Sequence, residues 1–299
     1  MQDVLNLSQD DRMSSFLALR DAFLSESLRL HGLGYATYTR QCATCATELV
    51  TDSEAILGGI TPMPLYRCRR CGQFAECAKC CILRHQESPL HRIEVSVKFI
   101  LFTYMLKLLQ EWREDFWRRT TLRAIGLVYQ IGHAGFPCLL PDAAPRLLTV
   151  MDTTGIHIVN TRFCACAQSQ GIVHWQQLFR DGWYPATTTA PQSCATMELL
   201  ELYRRLKVIA TVNVRDFVTT LENMTDPWGT EWTPDRYKEL GSMSRQFSYL
   251  ERVRRAGVCL DEGGLAMAAE GSLAVECWAC PRVGVNLPSN WEEVSPNLR

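Results

Sequence analysis

The chain has 299 residues, of which 47% are hydrophobic and 21% charged, and a formal net charge of -1. That composition supplies enough apolar material for one large domain or two ordinary ones. It excludes a collagen-like chain, a wholly disordered one, and a protein that is basic all over and coats nucleic acid by bulk electrostatics.

The first 30 residues intersperse Asp3, Asp10, Asp11, Arg12, Arg20, Asp21 and Glu26 among leucines, so they hold no uninterrupted apolar core of a secretory signal. Within them Phe16, Leu17, Leu19, Phe23, Leu24, Leu28 and Leu30 recur at helical spacing, and His31-Gly32-Leu33-Gly34 ends the pattern. This predicts an amphipathic helix over 13–30, free to dock on the body or on a partner, within an N-terminal segment 1–39. A chain without an export signal is expected to stay in a reducing compartment, where its 14 cysteines hold metal in preference to forming disulfides.

From Gln41 the chain becomes cysteine-rich and short of long apolar stretches, the mark of a small domain whose core is replaced by metal, set here at 40–94. Cys42-x2-Cys45, Cys68-x2-Cys71 and Cys77-x2-Cys80 are three knuckles, and His85 and His91 follow them. A two-residue gap lets both thiolates of a knuckle reach one ion, and zinc takes four nitrogen or sulfur donors in a tetrahedron, so these eight ligands fit two closed structural sites. Interleaved pairing is expected, with Cys42, Cys45, Cys77 and Cys80 on one ion and Cys68, Cys71, His85 and His91 on the other. Cys81 is an alternative to Cys80.

The longest apolar run, Val95 to Leu109, is interrupted by Lys98 and Lys107 and falls short of the roughly 20 residues that a bilayer span requires, so no membrane span is expected. Further on, Leu147-Leu148-Thr149-Val150-Met151 and Ile156-His157-Ile158-Val159 flank Asp152-Thr153-Thr154-Gly155, a hairpin signature with Gly where the turn wants positive φ. This hairpin is expected to open the sheet of a mixed domain over 111–260, with Asp152 as a turn former. Helices are predicted over Met197–Leu206, over Val214–Leu221 with Asn213 as N-cap, and from Pro234, capped by Thr233, through Tyr237, Leu240, Met243, Phe247, Leu250 and Val253. The tail, 261–299, is rich in Gly and Pro. The fold class is therefore α+β: a small cross-braced zinc module followed by a mixed domain with a β-hairpin and several helices.

A looser constellation runs His133-x4-Cys138, then His157, then Cys164-x-Cys166. Four of these five suffice for a third zinc ion, with His133, Cys138, Cys164 and Cys166 as the ligand set. Cys277-x2-Cys280 is one more knuckle, but only Cys259 lies close behind it, so a site there needs a ligand from elsewhere. Cys194 has no partner and reads as a core residue.

The order of motifs is more specific than any single spacing. Tyr66-Arg67-Cys68-x2-Cys71, Cys77-Ala78-Lys79-Cys80-Cys81, Pro89-Leu90-His91-Arg92-Ile93-Glu94 and Gly126-Leu127-Val128-Tyr129-Gln130-Ile131-Gly132-His133 follow one another. After them come Pro137-Cys138, Gly155-Ile156-His157, Cys164-x-Cys166, Trp183-Tyr184-Pro185-Ala186-Thr187, Cys277-Trp278-Ala279-Cys280-Pro281 and Asn286-Leu287-Pro288. Over about residues 40–291 this resembles the CxC-type cysteine cluster region of fungal KDZ (Kyakuja, Dileera and Zisupton) transposases. The resemblance implies a cysteine-cluster domain that binds zinc and associates with DNA, placed before a transposase core of RNase H type that uses acidic residues and divalent metal.

Two departures from the family pattern matter. The long catalytic region that follows the Asn-Leu-Pro segment in the family is missing here, and Asp152 has no carboxylate partner, so no catalytic activity is expected. The family also runs almost directly from His91-Arg92-Ile93-Glu94 to the segment resembling Glu111-Trp112, whereas here Val95 to Gln110 intervene. Those 16 residues, 95–110, read as an insertion and as a candidate translated in-frame intron, with an amphipathic helix as the alternative.

The expected function is that of an intracellular, nuclear, zinc-binding relative of a transposase, without a catalytic core. Its DNA contacts would come from Arg67, Arg69 and Arg70, from Arg118, Arg119 and Arg123, and from Arg252, Arg254 and Arg255. The alternatives are a protein-interaction module, since interleaved knuckles ending in a histidine pair also resemble the ZZ and B-box types, and a non-functional transposon fragment. Neither a small-molecule substrate nor a membrane partner is expected.

Overall fold

The computed structural model describes residues 9–32, 41–48, 64–72, 74–97, 116–133, 136–168, 170–227, 229, 235–260, 263–275, 277 and 279–293. The chain divides into two compact units, Met1–Met243 and Ser244–Arg299. Among the described residues no helix is long and apolar enough to cross a membrane.

The first unit opens with α1 (Gln9–His31). Its side chains from Met13 to Leu30 are exposed, including Phe16 and Phe23, whose rings pack on each other at 5.4 Å. The helix is held at its C-terminal end, where the Gly32 carbonyl accepts from Trp117 Nε1 at 2.8 Å and from Arg67 Nη1 at 3.2 Å. Those donors satisfy a carbonyl that the helix leaves without an internal partner.

Arg67 and Trp117 belong to a three-stranded antiparallel sheet of β1 (Tyr66–Cys68), β2 (Ile93–Val97) and β3 (Phe116–Thr120), with β2 in the middle. The register sets Cys68 opposite Ile93, and Ile93 opposite Thr120. A short helix, α2 (Ala78–Arg84), lies between β1 and β2 in the chain. Cys68, Cys81, Ile93, Leu122 and Leu127 make up a small buried core. This core is too small to hold so short a chain segment without further cross-links.

The second sheet has the order β4-β6-β5-β8-β7. Its centre is the predicted hairpin, β5 (Arg146–Asp152) and β6 (Gly155–Arg162), paired from Asp152↔Gly155 to Arg146↔Thr161. Thr153-Thr154 is thus a two-residue loop, and Gly155 takes φ 128, a value that an L side chain resists. The hairpin does not open the sheet, because β4 (Tyr129–Gln130) precedes it and pairs parallel with β6. On the other side β8 (Ser193–Thr196) runs parallel to β5, and β7 (Trp183–Pro185) is antiparallel to β8. Strands this short, β4, β7 and β8, show no alternation to read in a sequence. Ile131, Leu148, Val150, Phe163, Leu178 and Cys194 fill the core, so Cys194 is the buried core residue expected of it.

Helices α3 (Ala165–Gln168) and α4 (His174–Arg180) follow β6, and α5 (Met197–Ile209) and α6 (Val214–Thr225) follow β8. The N-caps are chemical: Thr196 accepts from the Leu199 amide at 3.2 Å and Asn213 from the Asp216 amide at 2.9 Å. The next helix, α7 (Tyr237–Ala256), does not start at Pro234. Asp235 and Arg236 are non-helical, and Asp235 Oδ1 accepts the Tyr237 amide at 2.9 Å, capping the helix three residues later. Thr233 and Pro234 lie outside the described residues. In the second unit, short 3-10 turns at Val258–Leu260, Gly264–Met267 and Trp291–Glu293 follow the end of α7.

Candidate metal centres

The first quartet is Cys42, Cys45, Cys77 and Cys80, whose ligand atoms all lie within 4.8 Å of one another. Cys42 and Cys45 sit on a turn closed by Ala46 N to Cys42 O at 2.9 Å. Cys77 is the residue before α2 and Cys80 lies in its first turn, so the start of the helix presents both. The two halves are stitched together by Ala43 N to Ala75 O at 3.0 Å and by the Cys77 amide on Cys42 Sγ at 3.3 Å. Glu76, buried between them, accepts from Arg84 at 2.7 Å and from the Thr44 hydroxyl. The hydroxyl and amide of Thr47 pull the Cys45 pKa down to about 6, so the ligand form, the thiolate, is present at neutral pH.

The second quartet is Cys68, Cys71, His85 and His91. Cys68 ends β1, His85 caps α2, and His91 lies two residues before β2. Cys71 Sγ stands 3.5 Å from His85 Nε2 and 3.3 Å from His91 Nδ1, and Cys68 Sγ stands 3.7 Å from His91 Nδ1. His85 Nδ1 is 2.7 Å from the Cys81 carbonyl; as its donor it fixes the tautomer and leaves Nε2 to point at the sulfurs. Burial opposes charge on His85, yet the sulfurs of Cys68 and Cys81 outweigh it and push its pKa up to about 11.

The third quartet is His133, Cys138, Cys164 and Cys166. His133 Nε2 lies 3.0 Å from Cys164 Sγ and 3.5 Å from Cys166 Sγ, and Cys138 Sγ lies 3.5 and 3.7 Å from the same two sulfurs. Gln177 of α4, buried, clamps the backbone of Cys164: its Oε1 accepts the Cys164 amide at 2.9 Å and its Nε2 donates to the Cys164 carbonyl at 3.0 Å. Asp181 Oδ2 accepts the Gly132 amide at 3.0 Å and fixes the turn that carries His133. Sequence reasoning missed both positioning residues. For Gln177 the signal was a polar residue in the short run that carries Leu178. His157, the fifth predicted donor, is elsewhere: its Nε2 meets the Thr154 hydroxyl at 2.8 Å.

Zinc–sulfur bonds of about 2.3 Å and zinc–nitrogen bonds of about 2.0–2.1 Å imply tetrahedral edges of about 3.8 Å between sulfurs and about 3.5 Å between sulfur and nitrogen. The separations above, 3.0–3.9 Å with Cys45 to Cys77 at 3.9 Å, cluster around those edges. Sulfur-rich donor sets of this kind suit zinc and leave no open position for water. The structure thus brings the eight predicted module ligands into two interleaved quartets and four of the five looser donors into a third. Cys81 stays out of the first quartet, since its sulfur faces His85 Nδ1 at 3.7 Å. Cys277 and Cys280 are exposed and join no quartet among the described residues. The side chain of Cys259 lies outside the described residues.

Asp152 is a turn former in the structure. Its Oδ2 accepts from the Thr154 amide at 3.1 Å and hydroxyl at 2.6 Å, and its Oδ1 accepts from the Thr196 hydroxyl at 3.0 Å. The predicted basic clusters are partly occupied. Arg67 and Arg69 pair with Glu94, Arg119 donates to the Met224 carbonyl at 3.4 Å, and Arg254 pairs with Glu251. Arg70, Arg118 and Arg123 are exposed and have no ion pair among the described residues.

Residues 122–229 match the family described as the CxC2 like cysteine cluster associated with KDZ transposases. The match takes in the whole third quartet and stops short of the first two. No curated protein matches the chain, and no solved structure matches it.

Proposed function

We propose that this chain, which carries a KDZ transposase-associated cysteine cluster, is a nuclear structural-zinc protein that associates with DNA and performs no catalysis. The carrying observation is the set of three donor quartets, each with its four ligand atoms within 4.8 Å of one another. Four protein donors close each site, which suits a structural ion and not an activated water. Asp152, tied to Thr154 and Thr196, is engaged in the turn.

The DNA surface in this reading is Arg70, Arg118 and Arg123, exposed next to the cross-braced module. Each guanidinium on a phosphate releases counterions, so binding falls as salt rises. The test is duplex binding of the zinc-loaded chain across a salt series, together with the triple Arg70→Ala, Arg118→Ala, Arg123→Ala variant. Steep salt dependence and a loss of tenfold or more in the variant support the reading. Absent or salt-insensitive binding overturns it while leaving the metal sites standing.

A second reading, docking on a protein partner, is favoured by α1, whose Phe16, Leu17, Leu19, Phe23 and Leu24 are all exposed. Its signature is a partner that is retained after nuclease treatment and lost with Phe16→Ser and Leu24→Ser.

A further inference from the structure

One face of the first sheet is crowded with guanidiniums. Side chains alternate along a strand, so the register that sets Arg119 opposite Glu94 also puts Arg92, two residues before Glu94, on the same face as a diagonal neighbour of Arg119. Glu94 is engaged from the other side. Its two carboxylate oxygens pair with Arg67 at 2.6 Å and with Arg69 at 3.1 Å, and neither Arg92 nor Arg119 has an ion pair among the described residues.

Arg92 and Arg119 meet at one backbone atom instead. The Met224 carbonyl, in the last turn of α6, accepts from Arg92 Nη1 and, at 3.4 Å, from Arg119 Nη1. Two cations thus converge on a single neutral acceptor. A helix C-terminus is equivalent to about half a negative elementary charge, so it offsets less than one of the two guanidiniums. Arg92 is half-buried, with Nη2 held close to Gly155, where no side chain intervenes. Burial and then the charge of Arg119 act against its positive charge; Asp152 offsets part of this, and Arg70 adds to it. Asp152 is not free to close on Arg92, because Thr154 and Thr196 hold its two oxygens.

Such a pair is stabilised by an anion. Each guanidinium keeps N–H groups beyond the one given to Met224, and a tetrahedral phosphate offers oxygens on all sides to two forks that arrive from different directions. We propose that Arg92 and Arg119, within the field of Arg70, bind a phosphate group where the cross-braced module meets the end of α6. Arg118, the neighbour of Arg119 in β3, alternates to the other face of the sheet. The site therefore does not require the DNA contacts of Arg118 and Arg123. The phosphate group can belong to a nucleic-acid backbone or to a free phosphate ion, which present the same oxygens.

The experiment is a titration of the zinc-loaded full chain, freed of excess metal, with inorganic phosphate at constant ionic strength, followed by calorimetry and phosphorus NMR. It is repeated with Arg119→Gln and Arg118→Gln, both at exposed positions. The expected result is saturable binding of one phosphate by the wild type and by Arg118→Gln, weakened about tenfold or more in Arg119→Gln. Circular dichroism confirms that the variants keep the wild-type helix content, and Arg70→Gln, weakening binding in the same direction, stands in if Arg119→Gln does not. No saturable binding in the wild type overturns the proposal, and so does equal weakening by Arg118→Gln and Arg119→Gln. Addition of a short duplex identifies the source: displacement of the bound phosphate assigns the site to a backbone phosphate, and retention assigns it to the free ion. A chain that takes up phosphate but no duplex keeps this site and overturns the DNA reading alone.

Discussion

Arg67 Nε donates to Glu94 Oε2 at 2.6 Å, between side chains only 3% and 14% exposed, across the β1–β2 pair that carries Cys68. The guanidinium also stacks 4.3 Å over Trp117 and donates to the end of α1. Arg67 is therefore a structural cation, although in the sequence it reads as one of three DNA-facing arginines.

Arg67→Ala is expected to destabilise the folded chain by about 3 kcal/mol, the scale of breaking a buried pair from one side, with Arg69 at 3.1 Å softening the loss. Arg70→Ala, at an exposed site, is expected to shift stability by less than about 0.5 kcal/mol. Denaturant midpoints of the two variants check this. Equal midpoints would remove Arg67 from the core.

The first two quartets share α2, which has seven residues and is too short to be stable alone. A chelator titration should therefore release their ions in one step, with loss of the helix. Cys164→Ser, by contrast, should remove the third ion and leave the other two bound. Stepwise metal counts by native mass spectrometry check both outcomes.

A Cβ at Gly155 would lie 2.1 Å from Arg92 Nη2 and 2.6 Å from Thr225 Oγ1, at φ +128. Gly155→Ala is expected to cost about 2–3 kcal/mol through strain at this junction of hairpin, β2 approach and α6. A thermal melt within a degree of wild type would contradict that close approach.

Burial first, and then the charge of Arg92, hold the His157 pKa down to about 4, while an unfolded histidine titrates near about 6.5. The unfolded chain then binds the extra proton first, so this group's contribution is complete above about pH 6.5 and is lost as pH falls towards 4. The loss is at most about 3 kcal/mol. His157→Gln, which keeps a partner for Thr154, should flatten the stability profile in that window relative to wild type. Parallel profiles would contradict it.

The β2–β3 register pairs Val97 with Phe116, leaving 18 residues between them. Removal of Val95–Gln110 would leave Glu111, Trp112 and Arg113 to take the places of Val95, Ser96 and Val97. Glu114-Asp115 would then be a two-residue hairpin loop, with Glu111 opposite Arg118 and Trp112 opposite Trp117. The deletion variant is expected to fold with unchanged metal content and a melting temperature no lower than wild type. Loss of the second quartet's ion in the variant would show that the segment is needed. Sequencing the transcript across the junction tests the intron reading directly.

The donor quartets were legible because metal chemistry would fix both residue type and local spacing: knuckles at two-residue gaps, and a histidine pair after the last. The α5 and α6 helices were legible from apolar period and from the cap at Asn213. The start of α7 was not, because Pro234 suits a first helical position while Asp235 caps one later. Strands β4, β7 and β8 carry too few residues for a period to show. The fate of Arg67 could not be read, since neighbouring arginines look alike until a sheet sets one of them opposite Glu94.

Interleaving also orders the events of synthesis. All four donors of the first quartet have left the ribosome once Cys80 emerges, before His85 and His91 exist to finish the second. The first ion can thus close the loop between Cys45 and Cys77 while translation continues, holding Cys68 and Cys71 in wait for the two histidines. In a chain whose quartets take up metal, supply at that stage would set whether the six thiols emerge ligated or free.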